Sequence, residues 1–377
     1  MQPRSVSTRK EGSKALTSRE PHSEACSTPT NGTVAVSRRT GAQALGRRQF
    51  LRCSAGAAIA AVWGNGATLA ADAQGEQREH LPRLTHPPAT QPVAAPSLVA
   101  DVRTDLVLDG PQIHAKALLG MIDRCVQLAT RHTRSTEAWS SLLKPDDVVG
   151  IKFDPVGAES LATTEVFAEQ LVSLIERAAI PCERIVLIDA PAGLDRTLKT
   201  QPRVYGWLDQ ESAFGTGAER LAAVLEQVTA VVNVAFLKTD NLTGISGALK
   251  NISVPFLRRQ LPYLRDGGVP SIPQIIALPA IRTKLRIHMV NALRAVFDRG
   301  PDVHPDFVWE LGGVLASVDP VALDQVGTDL LNERRDEAEL PAIGNRDGHV
   351  SHVQAAAAAG LGTNDQDYIR ILRPETD

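Results

Sequence analysis

The chain has 377 residues, with 40 Lys and Arg against 43 Asp and Glu and only 4% aromatic residues. Ten of the basic and four of the acidic residues precede residue 74, so the remainder has a net charge of −9. An acidic chain without a basic run excludes nucleic-acid binding and electrostatic docking to anionic lipid, and favours a soluble partner or a small molecule.

Near the start, Arg47 and Arg48 stand directly before an apolar, Ala-rich stretch over residues 53–63, and Ala71-Asp72-Ala73 follows as a small-residue cleavage site. Basic, apolar and small-residue segments in this order read as a twin-arginine export signal, whose pathway carries proteins already folded. The expected organisation is a disordered basic region over 1–46, a signal over 47–73 cut after Ala73, and a linker over 74–96. A single α/β domain over 97–377 follows. Pro82, Pro87, Pro88, Pro92 and Pro96 keep the linker from forming a helix or a central strand. The apolar stretch falls short of the about 20 residues that span a bilayer, so a removed signal is expected rather than an anchor, with no stable membrane span after cleavage. Cys53 precedes that stretch, whereas a lipid-bearing cysteine follows it. The expected destination is the periplasm or cell envelope, and the first expected partner is the twin-arginine translocation machinery.

Beyond residue 96, apolar residues at helical spacing predict an amphipathic helix over 112–132. Short β-rich runs follow at 147–154, 184–189 and 230–237, separated by helical patterns at 163–179 and 219–228. Two more strands are expected at 285–290 and 313–318, and a helix at 321–332. Strands apolar on both faces and separated by helices indicate an α/β fold, a mostly parallel sheet with helices on both faces. In such a sheet ligands bind beyond the carboxyl ends of the strands. Lys152, Asp154, Asp189, Lys238, Thr239 and Asp240 occupy those ends. Of the four cysteines only Cys125 and Cys182 remain after the signal, without a Cys-x-x-Cys, so no iron–sulfur cluster is expected. Two buried free thiols are expected rather than a disulfide.

The densest polar cluster runs from Lys238 to Asn251. Gly244 and Gly247 permit close backbone approach, Thr243 or Ser246 can cap a helix, and Lys250 adds a cation one turn later, a pattern suited to an anion at a helix N-terminus. No Gly-Lys-Ser or Gly-Lys-Thr is present, so the turn is not a P-loop. Asp319 before Pro320 has the form of an N-cap, and Asp324 lies about a turn further on. Downstream of the strand at 285–290, residues 291–301 bend through Asp298, Arg299 and Gly300. His288, alone in an apolar run, is expected to be packed and hydrogen-bonded.

Leu237-Lys238, Thr243-Gly244, Gly247-Ala-Leu-Lys-Asn251, Ala292-Leu-Arg294, Gly300-Pro301, Asp319-Pro-Val-Ala-Leu-Asp324 and Ala359-Gly-Leu-Gly362, in this order, resemble the export-signal-bearing branch of the family designated domain of unknown function (DUF) 362. The resemblance spans roughly residues 147–372. It implies a shared α/β fold and a site around Lys238, Thr243, Lys250, Asn251, Asp319 and Asp324, but no reaction. The chain departs from the family pattern at Asp240, where related sequences carry His, and at Asn291, where they carry Asp. No His stands between Arg258 and Gly268. Asp240 in place of His would shift metal preference toward harder ions.

Two functions are expected from these residues. In the first, an enzyme site, Lys152, Lys238 and Lys250, with Thr243, Gly244, Gly247 and Asn251, surround a small anionic molecule, and Lys238 and Lys250 are catalytic groups that stabilise its negative charge. Asp240 and Asp324 then act as acid/base groups, and Asp319 and Asp324 hold a divalent metal. The second is a non-catalytic exported binding or assembly protein with a decayed site. A metal ion or a small anion is the largest cofactor expected, because a dinucleotide fingerprint is absent.

Overall fold

The structure is a computed structural model and describes residues 95–344 and 350–374. The expected basic region, export signal and nearly all of the linker lie outside the described residues. Nine strands and seven helices carry the argument. The strands are β1 (Ser97–Arg103), β2 (Val149–Phe153), β3 (Ile185–Ile188), β4 (Trp207–Phe214), β5 (Gly217–Ala222), β6 (Ala230–Asp240), β7 (Leu285–Val296), β8 (Gly313–Ser317) and β9 (Ile369–Leu372). The helices are α1 (Ala115–Thr130), α2 (Ser135–Leu142), α3 (Thr164–Arg177), α4 (Ala248–Asn251), α5 (Ser271–Ile276), α6 (Pro320–Glu337) and α7 (Ser351–Ala358).

The central sheet has the order β9-β1-β8-β7-β6-β2-β3. All neighbours are parallel except β8, which runs antiparallel to both β1 and β7. The fold is therefore α/β with a mostly parallel sheet and helices on both faces. Strand residues alternate between two cores, as the period of two in a pleated strand requires. Ile151, Val232, Val234, Ile287 and Met289 face α1, α2 and α3. Val231, Leu237, Val290 and Leu315 face α4, α5, α6 and α7.

Residues 219–228, expected to be helical, are instead the second arm of the β4–β5 hairpin followed by a single turn over Val224–Gln227. Gly215 and Thr216 close the hairpin, and Leu221 and Ala222 pack into the core from the strand. The apolar residues of this window are too few to separate a period of 3.6 from a period of 2. Strand β1, which lies between β9 and β8, and the edge strand β9 are additions that the sequence pattern did not reveal.

Connections decide where a ligand crevice lies. The crossover from β2 to β3 passes through α3 on one face, while the crossover from β6 to β7 passes through α4 and α5 on the other. Since β2 and β6 are neighbours, the chain departs in opposite directions from them, which is the topological switch point of an open α/β sheet.

Candidate functional site

At the switch point, Lys238 of β6 reaches across to Asp154, just beyond β2, with 3.1 Å between Nζ and Oδ2. The same ammonium donates to the carbonyl oxygen of Val156. Ser246 donates to Asp154 Oδ2 at 3.3 Å, and the Val156 amide donates to Oδ1 at 3.0 Å. Burial pushes the Lys238 ammonium below its ordinary pKa, opposed by Asp154 and reinforced by the nearby charge of Lys250. Such a pair holds only because each charge has a partner; removing one leaves the other buried and uncompensated.

On the β2 side, Lys152 Nζ lies 3.0 Å from Asp189 Oδ2 and donates to Asn251 Oδ1 at 2.8 Å. Arg203 also binds Asp189. Asp189 has a left-handed backbone, φ 56°, a conformation Asp tolerates better than most residues. Burial alone would raise its pKa, but Lys152 and Arg203 together hold it below the usual carboxylate range.

On the β6 side, Lys250 of α4 binds Asp240, which also accepts from the amides of Leu242 and Thr243 and from the Thr243 hydroxyl, each at 3.0 Å. Against the opposing effect of burial, Lys250 and the Thr243 donors lower the Asp240 pKa. Lys152 and Lys238 have fully buried side chains, while that of Lys250 is 15% exposed. His352 of α7 is fully buried near this pair, and neither of its ring nitrogens has a hydrogen-bond partner among the described residues. Burial, then the Lys250 charge, lower its pKa to about 4. In sequence His352 stands between Ser351 and Val353 just before an Ala run and belongs to none of the motifs, so nothing there marked it.

A polar row runs beneath these pairs. Register places Lys152 opposite Asn233, Asn233 opposite His288, and His288 opposite Ser317 on four adjacent strands. Asn233 Nδ2 and His288 Nδ1 are 3.1 Å apart, and Asn251 Nδ2 donates to Asn233 Oδ1 at 2.7 Å. His288, with its pKa driven to about 3 by burial, is a neutral packed histidine. Asn251 is the keystone between α4 and the sheet, since it also donates to the carbonyls of Lys152 and Val234.

The N-terminus of α4 does not offer its amides to an external anion. Ala248 N and Leu249 N donate to Asp324 at 2.5 and 2.9 Å, so a carboxylate of α6 already fills the position. Gly247 is required because a Cβ there would overlap that carboxylate. Desolvation raises the Asp324 pKa to about 7, against the pull of the two amides. Asp319 caps α6 through Val321 N and Ala322 N, and its Oδ2 accepts from Ser97 and from Thr363 N. Asp319 is thus saturated by four donors within the chain, and each oxygen of Asp324 already accepts from a backbone amide. Among the described residues no group of three His, Cys, Asp or Glu is placed to hold a metal ion. The donor set does not fit a metal at Asp319 and Asp324. Asn291, in turn, donates to the Thr163 hydroxyl at 2.9 Å.

Two cavities flank the switch point. A cleft of about 470 Å³ lies beyond β6 and β7, walled by Asp240, Thr243, Gly244, Asp298, Arg299 and Arg335. Arg335 donates to Asp298 at 2.6 Å, while the Arg299 side chain is 70% exposed. A cavity of about 520 Å³ lies beyond β2 and β3.

Residues 149–329 match the model of a family described as "Domain of unknown function (DUF362)". The chain resembles the DUF362 family. The DUF362 match runs from β2 into α6 and so contains the switch point, the three lysine–aspartate pairs and both Asp319 and Asp324. No curated protein matches the chain. Among solved structures, the lactate racemase apoprotein from Thermoanaerobacterium thermosaccharolyticum is similar at 11% identity with a TM-score of 0.38. The match covers 66% of this chain and 58% of that one, so the chain spans 58% of its length. No helix among the described residues is long and apolar enough to cross a membrane.

Proposed function

We propose that this is an exported soluble protein that binds a small anionic molecule in the cleft beyond β6 and β7. The charge balance around that cleft carries the reading: Arg299 and Arg335 line it together with Asp240 and Asp298, and Lys250 binds the lining residue Asp240, which makes three cations against two carboxylates. One positive charge is left over, and the exposed Arg299 is the cation that lines the cleft within reach of a ligand, while Lys250 acts through Asp240. Lys152 and Lys238 set the shape of the floor instead, because their charges are consumed by Asp189 and Asp154. The test is a melting-temperature screen of the full chain with inorganic phosphate and citrate, since a ligand of the folded state alone raises the melting point. Arg299→Ala and Lys250→Gln are each expected to weaken the binding about tenfold, the size of one charge-assisted hydrogen bond. No shift with either anion, or equal shifts in both variants, would sink the proposal.

Export is supported by Arg47 and Arg48 ahead of the apolar stretch, in the manner of the twin-arginine branch of DUF362 sequences. Retention of an Arg47→Lys, Arg48→Lys double variant in the cytoplasm, with the unaltered chain in the periplasm, tests it; equal distribution of both would refute it.

A second reading, a non-catalytic binding or assembly protein, draws support from the pairing of Lys152 and Lys238 with their own carboxylates. Intact folding without any anion binding would favour it.

A further inference from the structure

We propose that the ligand of the cleft beyond β6 and β7 is a hydroxylated monocarboxylate of the sugar-acid class. This assignment rests on the anion-binding reading of that cleft and deepens it. Arg335 is the first observation: it lines the cleft and is only 7% exposed. Its Nε donates to the Pro341 carbonyl at 2.8 Å, and its Nη1 donates to the Phe297 carbonyl at 2.8 Å and to Asp298 Oδ1 at 2.6 Å. A guanidinium carries five N–H groups in a planar fork, so these bonds leave the two on Nη2 unused. Among the described residues Nη2 has no hydrogen-bond partner, and it is not sealed from solvent as the ring nitrogens of His352 are. A buried guanidinium fixed on two sides and open on the third is a pre-set receptor for a carboxylate.

The charge of the ligand follows from its surroundings. Three cations stand against two carboxylates around the cleft, so one negative charge balances the site and a second does not. The exposed Arg299 adds a second guanidinium on the same wall, steadied by the Phe307 ring, whose centroid lies 4.9 Å from its Cζ.

An acceptor stands beside these donors. Asp298 gives Oδ1 to Arg335, whereas its Oδ2 accepts no hydrogen bond among the described residues and lies 3.8 Å from Arg299 Nε. An open carboxylate oxygen next to an anion site opposes a plain acid and favours one that brings its own neutral donor, and a hydroxyl is such a donor. Thr239, Asn241 and Ser351 continue the wall with groups that both donate and accept, while Leu242 and Ile343 are the only apolar side chains among the described lining residues. An aliphatic acid would set hydrocarbon against these polar groups, and a neutral sugar would leave the spare positive charge without a partner. A six-carbon acid with hydroxyls meets both conditions, and about 470 Å³ is ample for it.

The experiment is calorimetric titration of the full chain with D-gluconate and D-glucuronate. Hexanoate keeps the charge without the hydroxyls, and D-glucose keeps the hydroxyls without the charge. At least one sugar acid is expected to bind saturably, with hexanoate and D-glucose about tenfold weaker, the worth of one hydrogen bond to a charged group. Arg299→Ala should weaken the sugar acid and hexanoate alike. Asp298→Asn should narrow the preference for the sugar acid over hexanoate, with the melting temperature checking that the variant folds. If it does not fold, Ser351→Ala, at an exposed position, reads the same narrowing. No saturable binding of either sugar acid, equal binding of hexanoate, or an unaltered preference in the folded variant would overturn the assignment. The phosphate and citrate screen keeps the two readings apart. If those anions raise the melting temperature while the sugar acids bind no better than hexanoate, the anion site stands and this assignment falls; if no anion binds, both fall.

Discussion

The two strand-end regions flanking the switch point are built from similar residue types and differ in how those residues are used. Beyond β6, carboxylates and ammonium groups are matched within the protein: Lys238 with Asp154, Lys250 with Asp240, Arg335 with Asp298. Beyond β3, the helix start is uncapped, Thr164 is unpartnered and Glu159 is exposed. Richness in polar residues therefore does not measure readiness to bind. Matched groups stiffen the floor of a site, and a ligand gains only from open groups that solvent reaches, as it reaches Arg299 and not the sealed hydroxyl of Thr164.

The sharpest way to break this contrast is to remove one member of a matched pair. Lys238→Met should cost about 3–5 kcal/mol in urea unfolding, because Asp154 is left charged and buried. Adding Asp154→Asn should recover a large part of it. A loss below about 1 kcal/mol would place the pair in solvent-like surroundings and erase the distinction between the two regions.

A somewhat smaller effect is expected at Asp324. Asp324→Ala strips the partner from two buried amides of α4 and should cost about 2–4 kcal/mol by the same measurement. If the carboxylate instead served a ligand, the variant would lose binding with little change in stability.

The smallest effect concerns pH. His352 has a folded pKa near 4, below its ordinary value of 6.5, so its contribution is complete above about pH 6.5 and is lost as pH falls toward 4. Asp324 runs in the opposite sense: with its pKa raised to about 7, its contribution is complete at acid pH and is lost as pH rises through 7. In His352→Gln, the stability lost between pH 6.5 and 4 should shrink by on the order of 3 kcal/mol at most. An unchanged acid limb in urea titrations at several pH values would show that His352 is charged or solvated in the folded chain.

Much of this was legible along the chain because it depends on local chemistry. The runs at 147–154, 184–189, 230–237, 285–290 and 313–318 all became strands of the central sheet, since apolar residues on both faces have few alternatives to a covered sheet. Lys152, Lys238, Asp240, Lys250 and Asn251 do converge at the strand ends, as the switch-point rule requires of polar residues there. The hairpin of β4 and β5 was missed because Leu221, Ala222, Val224 and Leu225 fit a helix as well as a strand, and pairing with a distant neighbour chose between them.

What the sequence by itself determined is the class of fold and the inventory of charged groups near the strand ends, while the address read from Arg47 and Arg48 stands as a proposal. What only the tertiary structure decided is which of those charges are already spent. Asp324 looked like a ligand and is the cap of α4; Asp319 looked like an N-cap and is one; Arg335 carried no signal at all. The reason is physical: a carboxylate, a lysine or a hydroxyl has the same chemistry wherever it stands, and its availability is set by partners that lie close in space and far along the chain, as Asp324 lies from Ala248 and Asn291 from Thr163.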